Sequence, residues 1–262
     1  MGSQAANRQS PPLQLPSTYG QRFPDARVLI EFDHRQSDSP FVERIWRSRS
    51  RQGGFFFSMA ESCIEIVFTT LPGFAAVTLR GPVSKGVLVE CPPNGEWLAV
   101  RFRLGTYLPQ IPTASLIDHQ SVDLPVLPNG RFWFSGQAWE IPSYDNIEDF
   151  VSRLAAAGVI ALSRATHAAI EGDHTYMSQR SVQRHFRHVT GMTFSAWQQI
   201  GRARHAAALL VGGASVLDAT FEAGYFDQAH LTRSVRQLIG TTPARLARER
   251  PQLSFSYKES GA

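Results

Sequence analysis

Cysteine is scarce: Cys63 and Cys91 are the only two among 262 residues. They give no metal-ligand spacing and at most one disulfide, a usage that fits a reducing cytoplasm. Long apolar stretches are missing as well. No run reaches 18 apolar residues, so no membrane partner is expected, and the opening MGSQAANRQSPPLQLPS lacks the cationic-then-apolar order of a signal peptide. Before residue 159 the only histidines are His34 and His119, too few and too far apart for a metalloenzyme that needs several histidines and a carboxylate around one ion. No catalytic residue, metal or cofactor is therefore expected. Lysine is absent between residues 178 and 250, yet that segment holds ten arginines against four acidic residues, a formal +6. The remainder carries sixteen basic and eighteen acidic residues, or −2. A basic module beside a mildly acidic one is the electrostatic footprint of nucleic-acid binding, and arginine suits forked phosphate and guanine contacts better than lysine.

The basic segment is internally duplicated. Ser178 to Gly191, SQRSVQRHFRHVTG, returns 49 residues later as Asp227 to Gly240, DQAHLTRSVRQLIG. Gln179 matches Gln228, Arg184 matches Arg233, Arg187 matches Arg236, and Gly191 matches Gly240. Val182, Phe186 and Val189 in the first copy answer to Leu231, Val235 and Leu238 in the second. That spacing is one face of a helix. Opposite it lie Arg180, Gln183, Arg184 and Arg187, and in the second copy Ala229, Thr232, Arg233 and Arg236. Small, hydroxyl, amide and guanidinium groups are the types that read base edges and neutralise phosphates. His185, His188, His205 and His230 are read as surface or packing residues.

Punctuation turns these helices into two helix-turn-helix units. Ser215-Val-Leu-Asp218 is a capping-box-like start for a short helix to about Glu222, Ala223-Gly224 supplies a turn, and Asp227 caps the second cationic helix. Gly240 stops it, and Thr242-Pro243 begins another. In the first copy Ser178 is the cap and Gly191 the stop. Thr193 then caps a helix through Leu210, closed by Gly212-Gly213, whose length of about 27 Å suits a strut between two reading helices about 34 Å apart.

On these motifs residues 178–248 resemble the double helix-turn-helix domain of the AraC family of bacterial transcription regulators. The stretch Gly224-Tyr-Phe-Asp-Gln-Ala-His-Leu-Thr-Arg233 with Ile239-Gly-Thr-Thr-Pro243 carries most of the likeness. The family's first unit opens with a short helix and tight turn, whereas Ala168 to Met177 here has glycine and polar residues that break the periodicity. The resemblance implies double-stranded DNA as partner, contacted by Ser178, Gln179, Arg180, Gln183, Arg184, Arg187, Asp227, Gln228, Ala229, Thr232, Arg233 and Arg236. It also implies a homodimer, a small-molecule effector of unspecified identity and, for an activator, RNA polymerase.

Residues 25–142 read as β. Strands are expected at Arg27 to Phe32, Phe41 to Arg47, Gly54 to Met59, Cys63 to Thr69, Phe74 to Arg80, Gly86 to Glu90, Glu96 to Leu104 and Arg131 to Ile141. Leu98, Val100, Phe102 and Leu104 alternate with Arg101 and Arg103, and Ile64, Ile66 and Phe68 with Glu65. The fold class is thus α+β, with an N-terminal barrel or sandwich and an all-α C-terminal domain. Arg80-Gly-Pro82 and Gly95 to Gly105 resemble the cupin-like sensor barrel of AraC-type regulators. A helix from about Asn146 to Ala157 leads out of it and stops at Gly158. The expected division is a flexible tail at 1–20, a sensor or dimerisation domain at 21–158, the DNA-binding domain at 159–250 and a tail at 251–262. Core packing accounts for most of Phe55, Phe56, Phe57, Trp97, Phe132, Trp133 and Trp139, with an effector pocket lined by some. The competing reading is an alkyl-transfer or other enzyme fused to the DNA-binding module. It needs an activated cysteine, and neither cysteine has a histidine or basic neighbour in sequence.

Overall fold

A computed structural model describes residues 30–118, 122–170 and 178–253. The expected tail at 1–20, residues 27–29 of the first expected strand, His119, and the segment 171–177 lie outside the described residues. The N-terminal strands are β1 (Ile30–Arg35), β2 (Val42–Ser50), β3 (Gly54–Ser58), β4 (Glu65–Leu71), β5 (Phe74–Arg80) and β6 (Val87–Cys91). They are followed by β7 (Glu96–Phe102), β8 (Thr106–Tyr107), β9 (Val122–Leu124), β10 (Arg131–Phe134) and β11 (Gln137–Glu140). Six of them form one antiparallel sheet in the order β1-β2-β7-β4-β5-β9, while β3 pairs with β6 and β10 with β11 in separate ribbons. The large sheet is open. Of barrel and sandwich, the sandwich is the one realised.

The expected single strand from Arg131 to Ile141 is a hairpin. Ser135 and Gly136 both take positive φ, 51° and 84°, which reverses the chain with the twist a two-residue β-turn requires. Ring edges meet ring faces beneath it: Phe68, Phe132 and Phe150 pack on one another, and Trp139 on Phe150, at centroid separations of 5.8–6.0 Å. Phe150 belongs to α1 (Ile147–Ala156), which buries Ile147, Phe150, Val151 and Leu154 and ends where Gly158 turns left-handed. An Arg35–Glu148 ion pair ties this helix to β1.

The alternation read along β4 and β7 is present, and Ile66, Phe68, Val100 and Phe102 all enter the first core. Its opposite face is not solvent. Glu65 and Arg101 stand in register on neighbouring strands and are 5% and 1% exposed, and Arg101 also pairs with Glu61, which in turn pairs with Arg204 of the C-terminal domain.

After α1 come β12 (Ala161–Leu162), paired with β8, and α2 (Arg164–Ile170). The segment from Ala168, read as irregular, instead begins inside a helix whose start is marked by Ser163. The Ser163 hydroxyl accepts the Thr166 backbone N–H at 3.1 Å, a cap that breaks in apolar periodicity had concealed. The rest is helical: α3 (Gln179–Thr190), α4 (Phe194–Gly212), α5 (Val216–Glu222), α6 (Gln228–Ile239) and α7 (Pro243–Glu249).

Candidate nucleic-acid interface

From α3 onward, each helix start is made by the residue that the sequence nominates. The Ser178 hydroxyl accepts Ser181 N–H at 3.3 Å and the Thr193 hydroxyl accepts Ala196 N–H at 3.1 Å. Ser215 accepts Asp218 N–H at 3.0 Å and donates its hydroxyl to the Asp218 carboxylate at 2.6 Å. The Asp227 carboxylate accepts His230 N–H at 2.6 Å. Gly191, Gly213 and Gly240 close α3, α4 and α6 in the left-handed region that only glycine enters without a steric cost. Caps of this kind are worth about 1 kcal/mol each. They also fix where α3 and α6 begin, and a helix-turn-helix presents bases to the N-terminal residues of its second helix.

α5, the glycine turn and α6 make the second unit. Gly224 takes φ +73° and Tyr225 tucks inward, 4% exposed, its phenol hydrogen-bonded to Ser234 at 2.8 Å. That bond crosses the turn. It sets α6 on α5, while Leu231, Val235 and Leu238 bury themselves against Ala203, Ala207 and Leu210 of α4. α2 and α3 make the first unit. There Phe186 and Val189 are buried, and Phe186, Phe194 and Trp197 form a ring cluster with centroids 5.0–6.1 Å apart.

With these faces inward, the opposite arcs point to solvent. On α3 the exposed side chains include Arg180, Gln183, Arg184 and Arg187; on α6 they include Gln228, Ala229, Arg233 and Arg236. Ser178 and Asp227 are exposed at the helix starts, and Gln179 lies in the first turn of α3. Thr232 is half-buried, with its hydroxyl donated to the Gln228 carbonyl at 2.7 Å. None of Arg180, Arg184, Arg187, Arg233 and Arg236 forms an ion pair with a described residue. Five guanidinium groups thus stand on the solvent side of α3 and α6.

Sequence reasoning missed the way the N-terminal domain grips this module. Ala60 N–H donates to the Leu238 carbonyl at 2.7 Å and Gly86 N–H to the Gln237 carbonyl at 2.9 Å, so orphan carbonyls at the end of α6 are satisfied from outside. Gly86 lies so close that a Cβ there would be 2.1 Å from the Ile239 carbonyl carbon. At the end of α3, a Cβ on Gly191 would be 2.8 Å from the Ile117 side chain. Phe57, Met59 and Ala60 complete the helical domain's own core. Gln252 and Leu253, expected to open a tail, return to the N-terminal domain instead: Gln252 donates to the Ile30 carbonyl at 2.9 Å, and Leu253 is 4% exposed.

A buried charge network completes this contact. Glu61 receives Arg101 at 2.7 Å and also pairs with Arg204 of α4, while Arg101 donates to Glu65 at 2.6 Å. Burial opposes ionisation of Glu61, but the two guanidiniums outweigh it and hold the carboxyl down at about 2. Beside them opens a cleft of about 1120 Å³ lined by Glu43, Cys63, Arg103, His167, Trp197 and His205 among others. Cys63 is buried, its thiol 3.3 Å from a Glu43 oxygen, and burial with the nearby carboxylates pushes it well above the ordinary thiol range. Burial raises Cys91 too. No described helix is long and apolar enough to cross a membrane.

Residues 172–249 match the family model described as a helix-turn-helix domain. The match shows a helix-turn-helix domain over that span, which is 78 of the 262 residues. Solved structures with likeness to the chain include ToxT from Vibrio cholerae in an apo variant of strain SCE256, 8% identical, with 82% of this chain and 99% of that one covered and a TM-score of 0.37. A 1.65 Å structure of ToxT from Vibrio cholerae gives 8%, 83% and 97%, and 0.36. The unsaturated fatty acid-bound wild-type ToxT gives 8%, 87% and 98%, and 0.35. No curated protein matches the chain in sequence.

Proposed function

We propose that this protein regulates transcription by laying α3 and α6 into adjacent major-groove segments on one face of a duplex. The observation that carries this reading is the duplication itself. Arg184 and Arg233, and Arg187 and Arg236, occupy equivalent exposed positions on two capped helices packed against α4. Gln183, Gln228, Ala229 and Thr232 would meet base edges, and the arginines would divide between guanines and phosphates. The N-terminal domain, bounded near residue 158, modulates the module through its grip on the ends of α3 and α6. A small molecule in the cleft beside Glu61 would be felt there, as would dimerisation through the sheet domain.

The test is binding to a duplex obtained by in vitro selection. Arg184→Ala or Arg233→Ala should weaken binding by roughly 1–3 kcal/mol, with relaxed preference at one base for an edge contact. For a phosphate contact the loss is the same across sequences, and the salt slope falls by about one. A monomer should protect two segments about 10 base pairs apart. If neither substitution changes affinity, these helices do not enter the groove.

A further inference from the structure

Phe226 is the most exposed large apolar side chain among the described residues, at 88%. It sits between Tyr225, which anchors the turn, and Asp227, which caps α6. Apolar side chains on a soluble surface are common singly, but this one is held by a rigid neighbour on each side. The phenol of Tyr225 is bonded to Ser234 and the Asp227 carboxylate to His230 N–H. Phe226 therefore projects from the N-terminal end of the reading helix next to exposed Gln228 and Ala229. That end enters the groove, where the one apolar feature of a base-pair edge is the thymine methyl.

We infer that Phe226 is a specificity-determining residue that packs on a thymine methyl in the segment read by α6. The inference rests on the proposed placement of α6 in the major groove. Leu217 and Phe221, 51% and 66% exposed, lie four residues apart on the side of α5 away from buried Ala219 and Ala223. A protein partner docking on this unit would use those two as well. Continuity with the arginine arc of α6 favours DNA as the occupant of Phe226.

The test uses the full chain and its selected duplex, with each thymine in the α6 half replaced in turn by deoxyuridine, which removes only the methyl. The wild type should lose about fourfold in affinity at one position, the worth of one buried methyl-sized group. Phe226→Ser should bind the thymine duplex at least that much more weakly and be indifferent to deoxyuridine at that position, whereas Phe226→Leu should retain most of the discrimination. Circular dichroism of each variant should match the wild type, since the side chain packs on nothing. Equal sensitivity of wild type and Phe226→Ser to every deoxyuridine would overturn the inference, as would unchanged affinity of Phe226→Ser. Arg233→Ala measured alongside separates the two failures. If it weakens binding and Phe226→Ser does not, only the role of Phe226 is lost; if neither does, α6 itself is misplaced.

Discussion

Replacing Glu61 by Gln removes the carboxylate on which two guanidiniums from different domains lean. Arg101, 1% exposed, keeps Glu65 at 2.6 Å but loses its 2.7 Å partner, and Arg204 loses its link to the N-terminal domain. Lowering a carboxyl from 4.5 in the unfolded chain to about 2 in the folded one corresponds to about 3 kcal/mol of stability. The same figure lies at the lower end of what breaking a buried ion pair costs, about 3–5 kcal/mol. Because the folded value is the depressed one, this stability is fully present above about pH 4.5 and drains away as the pH falls toward 2. Urea unfolding followed by tryptophan fluorescence should therefore give a gap between wild type and Glu61→Gln of about 3 kcal/mol at pH 7, about half that at pH 3, and little at pH 2. Added salt should change the gap little, since the charges are shielded from solvent. A gap below about 1 kcal/mol at pH 7, or one that stays flat from pH 7 to pH 3, would mean that the network behaves like a surface ion pair and does not hold the domains together.

Gly86→Ala places a methyl where the Ile239 backbone stands, so the β3–β6 ribbon must back away from α6. The expected cost is about 1–3 kcal/mol in thermal or urea unfolding, with altered operator affinity. Unchanged stability and affinity would show that the contact is dispensable. An isolated fragment of residues 160–262 should bind DNA more weakly and unfold more easily than the same domain in the full chain, because Phe57, Met59 and Ala60 leave its core. Full-length stability, affinity and stoichiometry in the fragment, measured by titration and footprinting, would remove the N-terminal domain from the mechanism.

Local chemistry made the C-terminal domain legible. Ser178, Thr193, Ser215, Asp227 and Thr242 each cap the helix expected of them, and Gly191, Gly213 and Gly240 each end one. Such signals act within four residues, so a sequence displays them directly. The strands were legible for a similar reason, since alternation along β4 and β7 decides which face meets the core. One inference from periodicity fared worse. The Ser135-Gly136 turn was read through, although two consecutive positive-φ positions split that strand.

What the sequence hid is the contact between domains, and the reason is physical. Arg101 and Glu65 alternate with core residues exactly as solvent-facing side chains do, and periodicity reports only that a face differs from the core. It cannot report what covers that face. A buried arginine needs a carboxylate from a neighbouring strand, a second from the loop at Glu61, and a lid; these come from residues 36 and 40 positions away, and from Arg204 far beyond them. Gly86 and Gly240 are equally mute, because a glycine selected for close backbone approach looks like any turn glycine until its partner is in place. Long-range contacts also join the N-terminal domain to the carbonyl end of α6, through Ala60 and Gly86. A change on the N-terminal side of that joint therefore has a hydrogen-bonded route, through Ala60 and Gly86, to the end of α6, which is what the proposed regulation from a separate domain requires.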